Sequence, residues 1–386
     1  MPRFTVEVKK LILYLTIIFS LIFLLISLEN ALNFSADFQR SGAKALSLGF
    51  EPFLEYIDGN LNNIYIKYQA PNYLQTLYFL FLPFTFFSEP VANILWGICN
   101  ILMLFSSTYM LGKIYQIKTK PYLFLLFFVL ISGAPARNCI GNGQLSIFTM
   151  YFFLLGILIK RKSIIDKKGI SRMFLYGFSY LKYSFAPTLG FFNFIVYGFR
   201  RFFITCLPAI LGVIIMWLIF RTPTSIYGPL IVAFKAMSIN YGIGDLLSIL
   251  SLTFEDNLAS LQMILSIFCI SLSLFLIFIA RNFSIIRLIP LTSLISLIFV
   301  KHLIYDYVFY LVLLAFAFSN YSTKLEKIAI FFNWIIIGYG IWILNKFNFD
   351  LYSLGFITSI FILNLSLLIL IFAESIKSQK KIMSNT

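Results

Sequence analysis

Acids and histidine are scarce in this chain: 15 Asp and Glu and a single His stand among 386 residues, and charged residues of either sign make up only 12%. A water-exposed globular surface carries about a quarter charged residues, so a soluble domain is excluded over most of the length. Cys99, Cys139, Cys206 and Cys269 are scattered, three of them inside apolar runs, with no CxxC spacing. They read as small packing residues and imply neither a disulfide nor a metal site. One histidine with one acid four residues on, His302 and Asp306, does not make a metal centre. No Gly-rich phosphate loop follows a strand-like segment, and no cytoplasmic domain is present to hold one, which argues against a bound nucleotide. Repeats of the transporter type and low-complexity segments are also missing. No cofactor is expected, and a divalent metal stays open.

Apolar sequence fills the space these absences leave. Hydrophobic residues make up 60% of the chain, in runs such as "LILYLTIIFSLIFLLISL" (11 to 28), "LQMILSIFCISLSLFLIFIA" (261 to 280) and "LYSLGFITSIFILNLSLLILIFA" (351 to 373). Each is long enough to cross about 30 Å of hydrocarbon as a helix, and none alternates as a barrel strand would. The expected fold is all-α, a polytopic integral membrane helical bundle. The first run resembles a signal peptide at its start, but no small-residue cleavage site follows its apolar part, so it reads as a retained span. The net charge of +15 sits in short clusters between apolar runs. That is the pattern of cytoplasmic loops, and nucleic acid is not an expected partner.

Placing the basic clusters at 3 to 10, 112 to 120, 160 to 172, 200 to 201, 281 to 287, 321 to 327 and after Glu374 in the cytoplasm orients the rest. Two segments then need special treatment. "YLQTLYFLFLPFTFF" (73 to 87), broken by Pro83, reads as a half-helix embedded from outside, and "MFLYGFSYLKYSFAPTLGFFNFIVYG" (173 to 198) as two short legs parting near Lys182 and Pro187. The sum is about 12 crossings with both termini inside, in a bacterial inner (plasma) membrane. The expectation is one domain, residues 1–386. Residues 1–220 form its catalytic module around a first outer loop at 29–90 with amphipathic juxtamembrane helices, and 221–386 complete the pocket.

With this topology the unusual polar residues fall on one outer, periplasmic face, in four separate segments, which is the layout of an active site. The first loop offers Asp37, Arg40 and Lys44, which share one face of a helix at 100° per residue. Its acid either aims at the mouth of the bundle or is a solvated partner of Arg40 or Lys44. "IKYQAPNY" (66 to 73) brings Tyr68, Gln69 and Tyr73; these rings, with Tyr65, either stack on a sugar or belong to an aromatic belt. "GAPARNCIGNGQLS" (133 to 146) brings Arg137, Asn138, Asn142 and Gln144. Its amides suit sugar hydroxyls, since each offers donor and acceptor, and equally suit a turn and helix cap. Lys182, embedded in an apolar hairpin, either meets an anionic phosphate or snorkels to the interface. In "VKHLIYDY" (300 to 307), Lys301, His302 and Asp306 either orient a polar substrate group or make a local hydrogen bond.

The order of "ADFQRSGAKALSLGFEPF", "YQAPNY", "LPFTFFSEPVANILWGICN", "GNGQLSIFTMYFFLLGILI", a basic inner loop, "GFSYLKYSFAPTLGFFNFIVYGFRR" and later "KHLIYDYVFYLVLLAFAF" resembles the polyprenyl-phosphate-dependent membrane glycosyltransferases of the GT-C fold, most of all glycosyltransferase family 87, the bacterial mannosyltransferase-like proteins. The motifs are short, and their order carries the resemblance. One departure is the single proline, Pro71, where the family's tyrosine-proline motif usually has two. The resemblance implies an inverting transfer of mannose or another hexose or pentose from a polyprenyl-phosphate donor to a glycan or glycolipid acceptor. In it Asp37 matches the general base, and Gln144, Lys182 and His302 match pocket positions. The chemistry fits independently, since Asp37 can take a hydroxyl proton while Lys182, Arg137 or His302 meets the departing phosphate. A transporter or flippase of lipid-linked sugars is the alternative, but it should carry charge through mid-span, and the runs 261 to 280 and 351 to 373 are nearly free of it.

Overall fold

Two short helices buried on every side form the axis around which the others pack. In Ile285–Phe299 every residue from Arg287 onward is buried, and in Tyr310–Phe318 the buried run extends from Tyr310 to Ala317. Helices apolar all round belong inside a bundle. The computed structural model describes residues 6–59, 69–117, 120–158, 167–239, 242–254 and 259–384. Within them every regular element is a helix. The membrane helical bundle expected from the apolar runs is therefore the fold.

Among the described residues, six helical stretches are long and apolar enough to span: Leu13–Asn33, Glu89–Ile114, Phe199–Phe220, Leu261–Asn282, Lys324–Lys346 and Leu354–Lys380. A seventh is possible if Pro121–Ser132 and Ala134–Gly141, bent by 67°, count as one. The bend falls at Gly133, where a Cβ would come within 2.5 Å of the Trp334 ring. Among the described residues, the sum of about 12 crossings that the apolar runs suggested is not seen. Several runs instead make helices such as Gln75–Phe86, Ser146–Ile157 and Ala186–Tyr197. At 1.5 Å per residue these reach about 18 Å, well short of the hydrocarbon thickness. The segment 73 to 87 is short as expected, an α-helix tightening to a 3₁₀ turn at Leu82–Phe86 around Pro83. The stretch 173 to 198 does part at Lys182, between a 3₁₀ turn ending at Leu181 and the helix Ala186–Tyr197.

The first loop holds two small helices, Arg40–Ser47 and Pro52–Ile57. Asp37 lies in the turn before the first of them. The helical face proposed to join Asp37 with Arg40 and Lys44 is therefore not formed. That turn is fastened to the loop at 142 to 144. The Asp37 N–H donates to the Asn142 carbonyl at 2.9 Å, the Trp96 indole N–H donates to the Gly143 carbonyl at 2.8 Å, and Phe38 stacks on Trp96 with ring centroids 5.7 Å apart. Gly143 has φ +71°, and a Cβ there would lie 2.6 Å from that of Phe38, so only glycine fits.

Candidate active site

Helix ends, rather than helix middles, bring the polar side chains together. The turn after Val6–Asn33, the start of Ser146–Ile157, the break before Ala186–Tyr197 and the link from Ile285–Phe299 to Tyr310–Phe318 meet around a cavity of about 150 Å³. Asp37, Gln69, Gln144, Lys182, Lys301 and Asp306 all line it, together with Tyr73, Tyr183 and Tyr305. Five stretches of chain, around 37, 69 to 73, 144, 182 to 184 and 301 to 306, thus meet at one cavity.

Asp306 is the hub of the floor. It forms an ion pair with Lys182, accepts from the Ser146 hydroxyl, and bonds through its other oxygen to His302 Nδ1 at 2.9 Å. Lys182 also donates to Ser146 Oγ at 2.8 Å and lies 4.8 Å from the centre of the Tyr305 ring. A protein carboxylate thus meets Lys182 in the apolar hairpin, which makes a buried lysine tolerable. His302 is fully buried behind Asp306 and lines neither this cavity nor its neighbour. Its role as a pocket-lining residue is therefore corrected: it holds Asp306.

The Asp37 carboxyl faces this floor from above. The Gln144 amide hydrogen-bonds to it, and Tyr73 donates to the same amide's oxygen at 3.1 Å. Burial raises the Asp37 pKa; the Gln144 bond and the Lys182 charge pull it partly back, while Asp306 pushes the same way as burial. Gln69 fixes the backbone carrying Asp37 from both sides, donating to the carbonyl of Phe38 and accepting from the Ser41 N–H at 3.0 Å. Lys301, also on the wall, has its pKa pushed down to about 8 by burial, opposed by the nearby Asp245.

Two candidate cations are not brought in. Arg40 turns outward to the carbonyls of Phe84 (3.3 Å) and Phe87 (2.6 Å). Arg137 lies over the rings of Phe23 and Trp342, at 4.2 and 5.0 Å, and lines neither this cavity nor its neighbour. Both were plausible from spacing alone, but a long side chain on a short helix can leave on either flank. Asn142 lines a second, larger cavity adjoining the first. Tyr65 and Tyr68 lie outside the described residues. Asp245 was missed. It caps the helix Leu246–Thr253, accepting from Ser248 N at 2.8 Å, and takes the His302 N–H at 3.4 Å. An Asp directly after glycines and before an apolar run is a cap signature that could have flagged it. Tyr183 and Tyr305, each beside a charged site residue, gave no signal distinct from the aromatic belt.

The model of glycosyltransferase family 87 matches residues 76–300. The chain belongs to glycosyltransferase family 87. It is a membrane glycosyltransferase, which sets the transporter reading aside. No curated protein and no solved structure matches it. The family match contains Gln144 and Lys182 but begins after Asp37 and ends before His302 and Asp306. For those three residues the geometry of this glycosyltransferase is the guide.

Proposed function

We propose that this glycosyltransferase moves a single sugar from a polyprenyl-phosphate donor to a hydroxyl of a glycan or glycolipid acceptor, on the extracytoplasmic side of the membrane, with inversion and with Asp37 as general base. The supporting observation is one cavity in which the half-buried Asp37 carboxyl lines the wall with two lysines drawn from other parts of the chain. Asp37 removes the acceptor proton as the oxygen attacks the anomeric carbon. The bond from that carbon to the phosphate oxygen breaks, and the electron pair leaves with the phosphate. Lys301 and Lys182 face the charge that develops there. A carboxylate whose pKa is raised by burial is a stronger base once ionised. A donor delivered from within the bilayer makes a nucleotide fold unnecessary. Mannose leads the donor candidates, followed by other hexoses and pentoses.

The orientation has its own support. Arg287 stands near the start of the helix Ile285–Phe299, whose far end leads to Lys301 and Asp306 on the cavity wall, and Lys/Arg-rich ends face the cytoplasm. The deciding assay uses membranes holding the protein and radiolabelled polyprenyl-phosphate mannose, with other polyprenyl-phosphate hexoses and pentoses alongside. Asp37→Asn should lower transfer by about 10²- to 10⁴-fold, the usual contribution of a general base. Transfer by Asp37→Asn at the wild-type rate would remove Asp37 from the reaction.

A further inference from the structure

Asp37 belongs to two cavities at once. On one side is the small lysine-bearing cavity. On the other is a cavity of about 670 Å³ whose polar wall includes Asn138, Asn142, Asn345 and Asp350, with Trp342 and Tyr352 beside them. Leu303 and Tyr305 line both and stand with Asp37 at the partition. The two sides differ sharply in charge. Lys182 and Lys301 lie on the small side, while among the described residues lining the large side there is no Lys or Arg.

We infer that the larger cavity receives the acceptor, and that the end of the acceptor which reacts is an uncharged sugar. This rests on Asp37 acting as the base, because a base at a partition must face the hydroxyl on one side and the leaving group on the other. The leaving phosphate belongs with the lysines. The remaining side offers amides, which match hydroxyls as donor and acceptor together, and two aromatic rings for stacking. The plane of Trp342 is fixed from behind by the Arg137 guanidinium and by the edge of Phe23, centroids 5.9 Å apart at 83°. An acceptor carrying phosphate or carboxylate at its reacting end would meet Asp37 and Asp350 with no lining cation to offset them, so like-charge repulsion selects against it. The volume lies within the range of about 300–1,000 Å³ usual for ligand sites, room for more than one sugar unit. Trp342, Asn345, Asp350 and Tyr352 all lie beyond the family match at 76–300.

Binding is measured on the full chain in nanodiscs by hydrogen–deuterium exchange, with mannotriose, maltotriose and cellotriose, each compared with the same trisaccharide carrying a 6-phosphate on its non-reducing unit. At least one neutral sugar should slow exchange across 341 to 352, its phosphorylated form should not, and Asn345→Ala with Trp342→Ala should abolish the effect. Asp350→Lys should admit the phosphorylated sugar. Absence of protection by every neutral sugar, or equal protection by the phosphorylated one, overturns the inference. In the transfer assay, Asn345→Ala should raise the acceptor KM by about tenfold, the worth of one hydrogen bond, and leave the donor KM unchanged. Protection without Asp37-dependent transfer from any donor would retire the proposed reaction and leave the sugar site standing. Asp37-dependent transfer with an unaltered acceptor KM in Asn345→Ala and Trp342→Ala would retire the acceptor site alone.

Discussion

At Asp37 the energetic cost of burying a carboxyl and the usefulness of a base have the same origin. Burial raises its pKa, and Lys301 next to the same cavity is pushed down to about 8. The base works only when ionised, so kcat/KM should fall as pH drops through the raised Asp37 value, starting above the range of an ordinary carboxylate. The alkaline limb should fall near pH 8 as Lys301 loses its proton, and Lys301→Arg should move that limb upward; a pH–rate profile of both proteins checks this. Lys182 and Asp306 behave differently because each compensates the other, with side chains 6% and 4% exposed. Removing one partner, as in Lys182→Met or Asp306→Leu, should destabilise by about 3–5 kcal/mol, and the double variant by much less; thermal unfolding of the purified variants reads the difference. Charge in an apolar setting is what made Lys182 legible in the sequence, since such groups are kept only where something meets them; Asp37 was singled out by the family resemblance. The partner was not legible. Spacing cannot say that Lys182 meets a carboxylate more than a hundred residues away, or that Arg40 turns toward Phe87 and Arg137 toward Trp342.

Among elements, the turn that carries Asp37 is held by neighbours that have no charge at all. Gly143, at φ +71° and against Phe38, leaves no room for a methyl group. Gly143→Ala should cost about 1–3 kcal/mol of stability through backbone strain and overlap, and should lower transfer as the Asp37 turn shifts, measured by unfolding and by the membrane assay on the same preparation. A second fixed point lies away from the site. Arg287 pairs with Glu326 at 2.8 Å, donates to the Tyr321 carbonyl at 2.9 Å and reaches Ser375, so it ties Ile285–Phe299 to two later helices. Glu326→Ala should destabilise by about 3–5 kcal/mol by leaving Arg287 buried without its acid, with unfolding in detergent as the measure. Long apolar runs such as 261 to 280 were legible because length alone decides them. The runs at 146 to 157 and 285 to 299 were not, because hydropathy cannot separate a membrane crossing from a short helix buried by protein.

At the scale of the whole molecule, the direction proposed for the enzyme in the membrane rests on where basic residues and the site lie along the helices. Arg287 lies at the start of Ile285–Phe299 and Lys301, on the wall of the smaller cavity, just past its end. The helix Leu354–Ser384 shows this within one element. Tyr352, just before its start, lines the larger cavity and is 51% exposed, whereas Lys377, near its end, has a side chain 73% exposed beside other lysines. The two positions are separated by about 37 Å at helical rise, enough to clear the hydrocarbon of a bilayer. Single cysteines at these positions, in a chain whose four native cysteines are replaced, should therefore react from opposite sides. A membrane-impermeant thiol reagent added to intact cells should label Tyr352→Cys and spare Lys377→Cys until the membrane is opened. The reverse pattern would turn the enzyme over and place both cavities in the cytoplasm, where a lipid-linked donor would have no advantage over a nucleotide sugar. Labelling of both from one side would mean that this helix does not cross, and the larger cavity would lose the wall on which its assignment to the acceptor depends.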